Sequence, residues 1–258
     1  MRGKVYLIGG GPGDPELLTL KAARLLSRAN LVLHDALVSR EVLEMICKGA
    51  EIMDVGKRAG RKLLTQEEIN ALLVSYARKR EIVIRLKGGD PSIFGRAGEE
   101  IESLRKAGIE YEIVPGVTAA LGAAAAAGIS LTDRRVASQI LLTTFLRGTD
   151  GSVMDWGCVT STTTLVLYMP GADYTEVSQR LLEGGLPADL PCVIVSNAAN
   201  AQQQVRWSSV GRLASEEKLP APALLIVGRV ASREVEELRL AFWDGEGKTL
   251  PPQHLSVS

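Results

Sequence analysis

Cations, carboxylates and glycines crowd together between Arg85 and Glu100, in the stretch R-L-K-G-G-D-P-S-I-F-G-R-A-G-E-E. Gly88 and Gly89 remove two side chains where the chain leaves a strand, so a ligand can approach the backbone closely. Pro91 stiffens the turn, Gly95 and Gly98 flank Arg96, and Glu99 and Glu100 fall in the first turn of a helix, where carboxylates complement the helix dipole. The stretch reads as a ligand loop, with a plain glycine-rich strand-to-helix connection as the bland alternative. A second glycine loop, Gly9-Gly10-Gly11-Pro12-Gly13, also leaves a strand, but Asp14 occupies the last glycine position of a G-x-G-x-x-G fingerprint. A carboxylate there competes for the helix amides that would hold a pyrophosphate. The loop therefore suits a ligand without phosphate, a cationic one included, and a nicotinamide dehydrogenase is disfavoured. G-x-x-x-x-G-K-[ST] fails as well, because Gly56-Lys57 is followed by Arg58. His34-Asp35 closes a strand at the edge where open α/β sheets place ligands, which makes Asp35 a site candidate; capping of the next helix is its alternative. Gly56 to Lys62 is a basic loop that reads either as an anion site or as a solvated charge run.

The elements that must position these groups alternate strand and helix. Apolar, β-branched runs predict strands at Val5–Ile8, Leu31–Leu33, Glu51–Val55, Glu81–Leu86 and Tyr111–Val114. Asp14 as N-cap and Pro15 at the first position predict a helix with the stripe Leu18, Ala22, Leu25, Leu26 and Ala29. A helix over Val38–Cys47 follows. Thr65-x-x-Glu68 makes a capping box for a helix reaching Lys79, with Ile69, Leu72, Leu73 and Tyr76 on one face. Gly108 stops the helix after the central loop. Pro115-Gly116-Val117-Thr118 then turns into an Ala-rich segment, Ala119 to Ala127, whose small side chains permit close approach. Further strands are expected at Ile140–Phe145, Thr164–Met169, Val193–Ser196 and Leu224–Val227, with a helix Tyr174–Glu183 stopped by Gly184-Gly185. The expected organisation is α/β throughout: a domain over 1–117, a second over 118–243 and a loose tail over 244–258.

With 258 residues and 46% hydrophobic content, the chain can bury the cores of two domains. Thirty basic residues balance thirty acidic ones, which argues against a nucleic-acid partner held by a general basic surface and makes any anion site local. Cys47, Cys158 and Cys192 are widely spaced and lack C-x-x-C pairing, so reduced cytosolic thiols are expected rather than disulfides or a structural zinc. No apolar run approaches the ~18 residues of a bilayer span, and a cytoplasmic protein without a membrane partner is expected.

G-G-G-P-G-D-P-E-L-L-T-L-K-A at Gly9–Ala22, V-G-K-R at Val55–Arg58, Q-E-E-I-N at Gln66–Asn70 and the Arg85–Glu100 loop together resemble the tetrapyrrole methylases, in the branch acting on uroporphyrinogen III. So do V-P-G-V-T-A-A at Val114–Ala120, A-G-I-S-L-T at Ala127–Thr132, L-Y-M at Leu167–Met169 and P-A-L-L-I-V-G at Pro222–Gly228. The resemblance covers about residues 4 to 243 and is poor over Arg147–Thr163. It implies a two-domain α/β enzyme, usually a homodimer, that binds S-adenosylmethionine in the cleft between its domains with the tetrapyrrole above. By family pattern the cofactor touches Pro12, Gly88, Gly89, Asp90, Ile93, Thr118, Ala119, Met169 and Ala198. A turn aspartate is the plain alternative for Asp90.

The implied reaction moves the sulfonium methyl to C2 and then C7 of uroporphyrinogen III, giving precorrin-2 by way of precorrin-1 for sirohaem, cobalamin or haem d1, without a metal and with S-adenosylhomocysteine as co-product. Eight carboxylate arms on that substrate call for local cations, and Lys57, Arg58, Arg85, Lys87, Arg96, Arg134 and Arg135 lie in or beside the matched loops. Arg96 and Glu99, with Arg134 and Met169, are the implied substrate contacts; a helix cap with a surface ion pair is the alternative for the first two. The resemblance nominates Asp35 as base and Lys57 as acid, with Arg96 holding a comparable claim. Departures include His34 for tyrosine, Ser92 for phenylalanine, Ala126 for tyrosine, Asp133 for histidine, Thr144-Phe145 for Gly-His and Ala198 for glycine. They leave open a different precorrin as substrate, or a protein that binds the cofactor or a porphyrinogen without transfer.

Overall fold

The computed structural model describes residues 3–56, 64–145, 156–171 and 173–232; the basic loop from Lys57 and the tail from Asp244 lie outside them. Two compact units make up the chain. The first comprises 1–127 together with 195–205 and 219–224, and the second comprises 128–194, 206–218 and 225–258. Against an expected change after 117, the first unit continues through the Ala-rich helix to Ala127 and then takes up two later segments.

Five strands build the first sheet: β1 (Lys4–Gly9), β2 (Leu31–His34), β3 (Glu51–Asp54), β4 (Ile82–Lys87) and β5 (Glu110–Val114). Their order is β3-β2-β4-β1-β5, every neighbouring pair is parallel, and Gly9 pairs with Lys87 while Ile8 pairs with Val114. Side chains alternate across a strand, so each sheet face has its own core. Val5, Leu7, Leu31, Leu33 and Val83 pack with Ile69, Leu73 and Leu104 from α3 (Gln66–Ala77) and α4 (Ala97–Lys106). Ile8, Val32, Ile84 and Leu86 pack with Ala22, Leu26 and Val42 from α1 (Leu20–Leu26) and α2 (Arg40–Leu43).

Helix ends follow local hydrogen-bond chemistry. Thr65 and Glu68 form the expected reciprocal capping box on α3. Gly108, at φ 64°, closes α4, with Ile109 N donating to Leu104 O and Gly108 N to Arg105 O. The first helix starts later than expected. Asp14 caps only a 3-10 turn, Pro15–Leu17, and Leu18 is extended, so Thr19 Oγ1 accepts from Ala22 N and α1 begins at Leu20. Likewise α2 covers four residues under a Ser39 cap, shorter than the expected Val38–Cys47, and Asp35 does not cap it.

The second sheet has the order β6-β7-β10-β8-β9, from β6 (Gln139–Thr144), β7 (Thr163–Tyr168), β8 (Pro191–Ser196), β9 (Gln204–Ser209) and β10 (Ala223–Val227). Sequence periodicity did not indicate β9: Q-V-R-W-S-S is a half-buried strand at the sheet edge and carries no apolar run. The other helices are α5 (Ala119–Ala126), in the first unit, and α6 (Tyr174–Glu183), in the second. No helix among the described residues is long and apolar enough to cross a membrane.

Candidate active site

The helices after β1 and β4 lie on opposite faces of the first sheet, so a crevice opens beyond the carboxyl ends of these neighbouring strands. Both glycine loops empty into it. Gly11 and Gly89 exchange backbone hydrogen bonds, Gly89 N to Gly11 O at 2.7 Å and Gly11 N to Gly89 O at 3.2 Å. Gly10 N donates to Lys87 O at 2.7 Å. A Cβ on Gly9 would lie 2.6 Å from both Gly116 N and Gly89 O, which shows how closely the exits of β1, β4 and β5 pack.

Asp90, 8% exposed, holds this arrangement together. Its Oδ2 accepts from Gly116 N at 3.0 Å, and its Oδ1 accepts from Ser92 N at 2.8 Å and from the Ser92 hydroxyl. A carboxylate offers about four acceptor positions, so most of this one is used to staple the β4 loop to the β5 turn. Asp35 reaches the same loop: Gly88 N lies 3.2 Å and 3.3 Å from its two oxygens, and Leu37 N donates to Oδ1 at 3.1 Å. Pro12 rests against α5, where a Cβ on Gly122 would come within 2.8 Å of its Cβ and 3.8 Å of the Ala198 Cβ. Ala198 is buried between Asn197 and Ala199, both left-handed. A Cβ on Gly89 would touch Ala119 N at 3.6 Å and Thr118 Cα at 3.9 Å. Pro12, Gly88, Gly89, Asp90, Thr118, Ala119 and Ala198 are thus brought together with Asp35, and Ile93 continues the loop through its N–H to Asp90 O at 3.2 Å.

Arg96 sits at φ 56° as the N-cap of α4 and pairs with Glu99 in a fork, Nε to Oε1 at 2.7 Å and one terminal nitrogen to Oε2 at 2.8 Å. Both side chains are about half exposed, 49% and 48%. The Glu99 hydrogen bond raises the guanidinium pKa further, and its remaining N–H groups stay available to an incoming carboxylate.

Arg85 and Lys87 do not offer cations to a ligand, contrary to expectation. They are 4% and 3% exposed and both bind Glu100, which is fully buried. Arg85 Nε and Lys87 Nζ each lie 2.9 Å from Glu100 Oε1. Burial, followed by the neighbouring Arg85 charge, lowers the Lys87 pKa, and Glu100 opposes that shift.

In the second unit, Met169 follows β7 at φ 50° and is 44% exposed. Arg134 is exposed, whereas Arg135 is held by Asp133 in a fork of 3.0 Å and 2.7 Å. Lys57 lies outside the described residues. Sequence reasoning missed Gly9, Gly116 and Gly122 as packing points; the signal available was a glycine at a strand exit or inside an alanine helix.

Residues 4–214 match the Tetrapyrrole (Corrin/Porphyrin) Methylases. A uroporphyrinogen-III C-methyltransferase of Paracoccus denitrificans is 47% identical over 235 residues, spanning 89% of this chain and 82% of that protein. A siroheme synthase of Actinobacillus pleuropneumoniae is 45% identical over 88% of this chain, which spans only 47% of that relative. Among solved structures, uroporphyrin-III C-methyl transferase from Thermus thermophilus complexed with S-adenyl homocysteine superposes with a TM-score of 0.78 at 38% identity, covering 88% of this chain and 98% of that one. A cobalt precorrin-4 methyltransferase gives a TM-score of 0.79 at 28% identity over 89% and 96% of the two chains. With a glycine-packed crevice at its β1–β4 switch point and these likenesses along most of its length, the chain belongs to the tetrapyrrole methylase family.

Proposed function

We propose that this chain is an S-adenosylmethionine-dependent uroporphyrinogen-III C-methyltransferase that methylates C2 and then C7, giving precorrin-1 and then precorrin-2. The observation carrying this reading is the crevice beyond β1 and β4. Its walls are backbone and small apolar groups, and Asp14 already takes the Glu16 amide at 2.8 Å, so it suits an adenosyl group without phosphate. When bound, S-adenosylmethionine supplies an electrophilic methyl: its C–S bond breaks with the electron pair left on sulfur, and a pyrrole carbon's π pair forms the new C–C bond.

The chain's own residues bind, orient and move a proton. Pro12, Gly88, Gly89, Ile93, Thr118, Ala119, Met169 and Ala198 hold the cofactor, and Asp90 keeps its loop in place. Alignment of this kind can supply ~7 to 11 kcal/mol of the barrier. Arg96, oriented by Glu99, and Arg134 take the substrate's carboxylate arms. Asp35, beside the Gly88 amide, accepts the macrocycle proton and Lys57 serves as acid, with Arg96 holding a comparable claim to the place nearest the reacting ring. The protein works as a cytoplasmic homodimer, a reading supported by the family resemblance.

Anaerobic incubation with uroporphyrinogen III and methyl-labelled S-adenosylmethionine, followed by mass analysis of the oxidised products, tests the proposal. Gain of two methyls is expected. Gain of one would point to loss of the second step, and no gain would overturn uroporphyrinogen III as the substrate.

A further inference from the structure

The buried ionic group under the β4 loop has no part in the chemistry just described. Glu100, from the first turn of α4, accepts from Lys87 Nζ with both oxygens, at 2.9 Å and 3.1 Å, from Arg85 Nε at 2.9 Å and from Gln66 Nε2 at 3.3 Å. Arg85 also donates to the carbonyls of Leu33, at 3.3 Å, and Leu86, at 3.1 Å. The Glu100 carboxylate therefore ties β4 to α4 and α3, and Arg85 extends the network to β2. Replacing buried ions with apolar side chains is often neutral or stabilising, so stability alone is a weak reason for such a group. Its location supplies another. Lys87 is the last residue of β4, its carbonyl accepts from Gly10 N, and Gly88-Gly89-Asp90 follow directly.

We propose that Glu100 is a positioning residue: by holding Arg85 and Lys87 it fixes the exit of β4 and, through it, the Gly88-Gly89-Asp90 loop that binds the cofactor. This rests on the methyltransferase reading. Titration calorimetry with S-adenosylhomocysteine tests it on the wild type, Glu100→Gln, Lys87→Met and Leu104→Ala. The last variant opens a cavity one helical turn from Glu100 while keeping every hydrogen-bonding member of the ionic group, since Leu104 is a fully buried residue of the α3–α4 core. Expected are a Kd raised at least fivefold in Glu100→Gln, at least threefold in Lys87→Met, and by less than twofold in Leu104→Ala. Should Glu100→Gln fail to fold, Lys87→Met decides alone, because it leaves Arg85 and Glu100 balanced. Wild-type affinity in both charge variants would overturn the inference, as would equal weakening in Leu104→Ala. No binding by the wild type would instead overturn the methyltransferase reading, and this inference with it.

Discussion

Gly9→Ala tests whether the crevice depends on three strands leaving the sheet nearly in contact. The φ of Gly9 is not in the left-handed region, so alanine is tolerated by the local backbone and the whole effect is steric. The new Cβ would stand 2.6 Å from Gly116 N and Gly89 O and 2.7 Å from Gly116 Cα, all backbone atoms. Restoring ordinary contact requires shifts of roughly 0.8 Å, in strands whose registers are pinned at Gly9–Lys87 and Ile8–Val114. Overpacking of this kind costs about 1–3 kcal/mol. Disturbing the Gly11–Gly89 pair adds about 1 kcal/mol per weakened hydrogen bond. The expected loss is about 3 kcal/mol, read as a lower urea midpoint in the far-UV circular dichroism signal. Gly10→Ala is the control: its nearest contact would be 3.3 Å, and a loss under about 1 kcal/mol is expected. A Gly9→Ala protein within about 0.5 kcal/mol of wild type, the range of surface substitutions, would refute the reasoning.

Further outcomes follow from other residues. Arg96→Ala should lower methyl transfer well over tenfold while calorimetry still detects S-adenosylhomocysteine; unchanged turnover would remove Arg96 from the site. In Gly122→Ala, a helix-propensity gain of about 0.5–1 kcal/mol competes with a Cβ 2.8 Å and 2.9 Å from Pro12 carbons. Because the pyrrolidine ring cannot yield by rotation, weaker cofactor binding and a small net destabilisation should be measured. Burial, with Glu216 nearby, pushes the Cys192 thiol from 9.0 up to about 12. Above pH 9 the unfolded chain releases this proton and the folded one keeps it, so stability falls as pH rises. Between pH 9 and 10 the wild type should lose about 1 kcal/mol more than Cys192→Ala in denaturant titrations; parallel losses would contradict the burial argument. Thr65→Ala removes the α3 capping box and should cost about 1 kcal/mol, read as a lower urea midpoint.

Strand positions were legible because parallel strands covered on both faces are written as apolar runs, as in K-V-Y-L-I-G and I-V-I-R-L-K. The α3 and α6 boundaries were legible because Thr65–Glu68 and Gly184-Gly185 act within a few residues. Long-range demands were not. Asp35 could cap the next helix or face a ligand, and the structure gives its oxygens to Gly88 N, 53 residues away in sequence. Arg85 and Lys87 look like exposed cations until Glu100 is brought onto them, since nothing local in R-L-K-G-G-D separates a substrate cation from a buried one. Asp90 is similar: the bond to Gly116 that makes it a staple joins loops 26 residues apart. The half-polar Gln204–Ser209 escaped notice because an edge strand needs no continuous apolar pattern.

The segments 195–205 and 219–224 complete the first compact unit although they are made long after residue 127. At a ribosomal pace of about 5–20 residues per second, the last of them leaves synthesis roughly 5 to 20 s after the first sheet is finished. For that interval the nascent first unit carries Pro12 and α5 without Ala198, and its Gly13 turn without Ala199. A polypeptide ending near 127 would stay in that unfinished state indefinitely, so the first compact unit cannot be obtained simply by cutting at the end of its longest continuous segment.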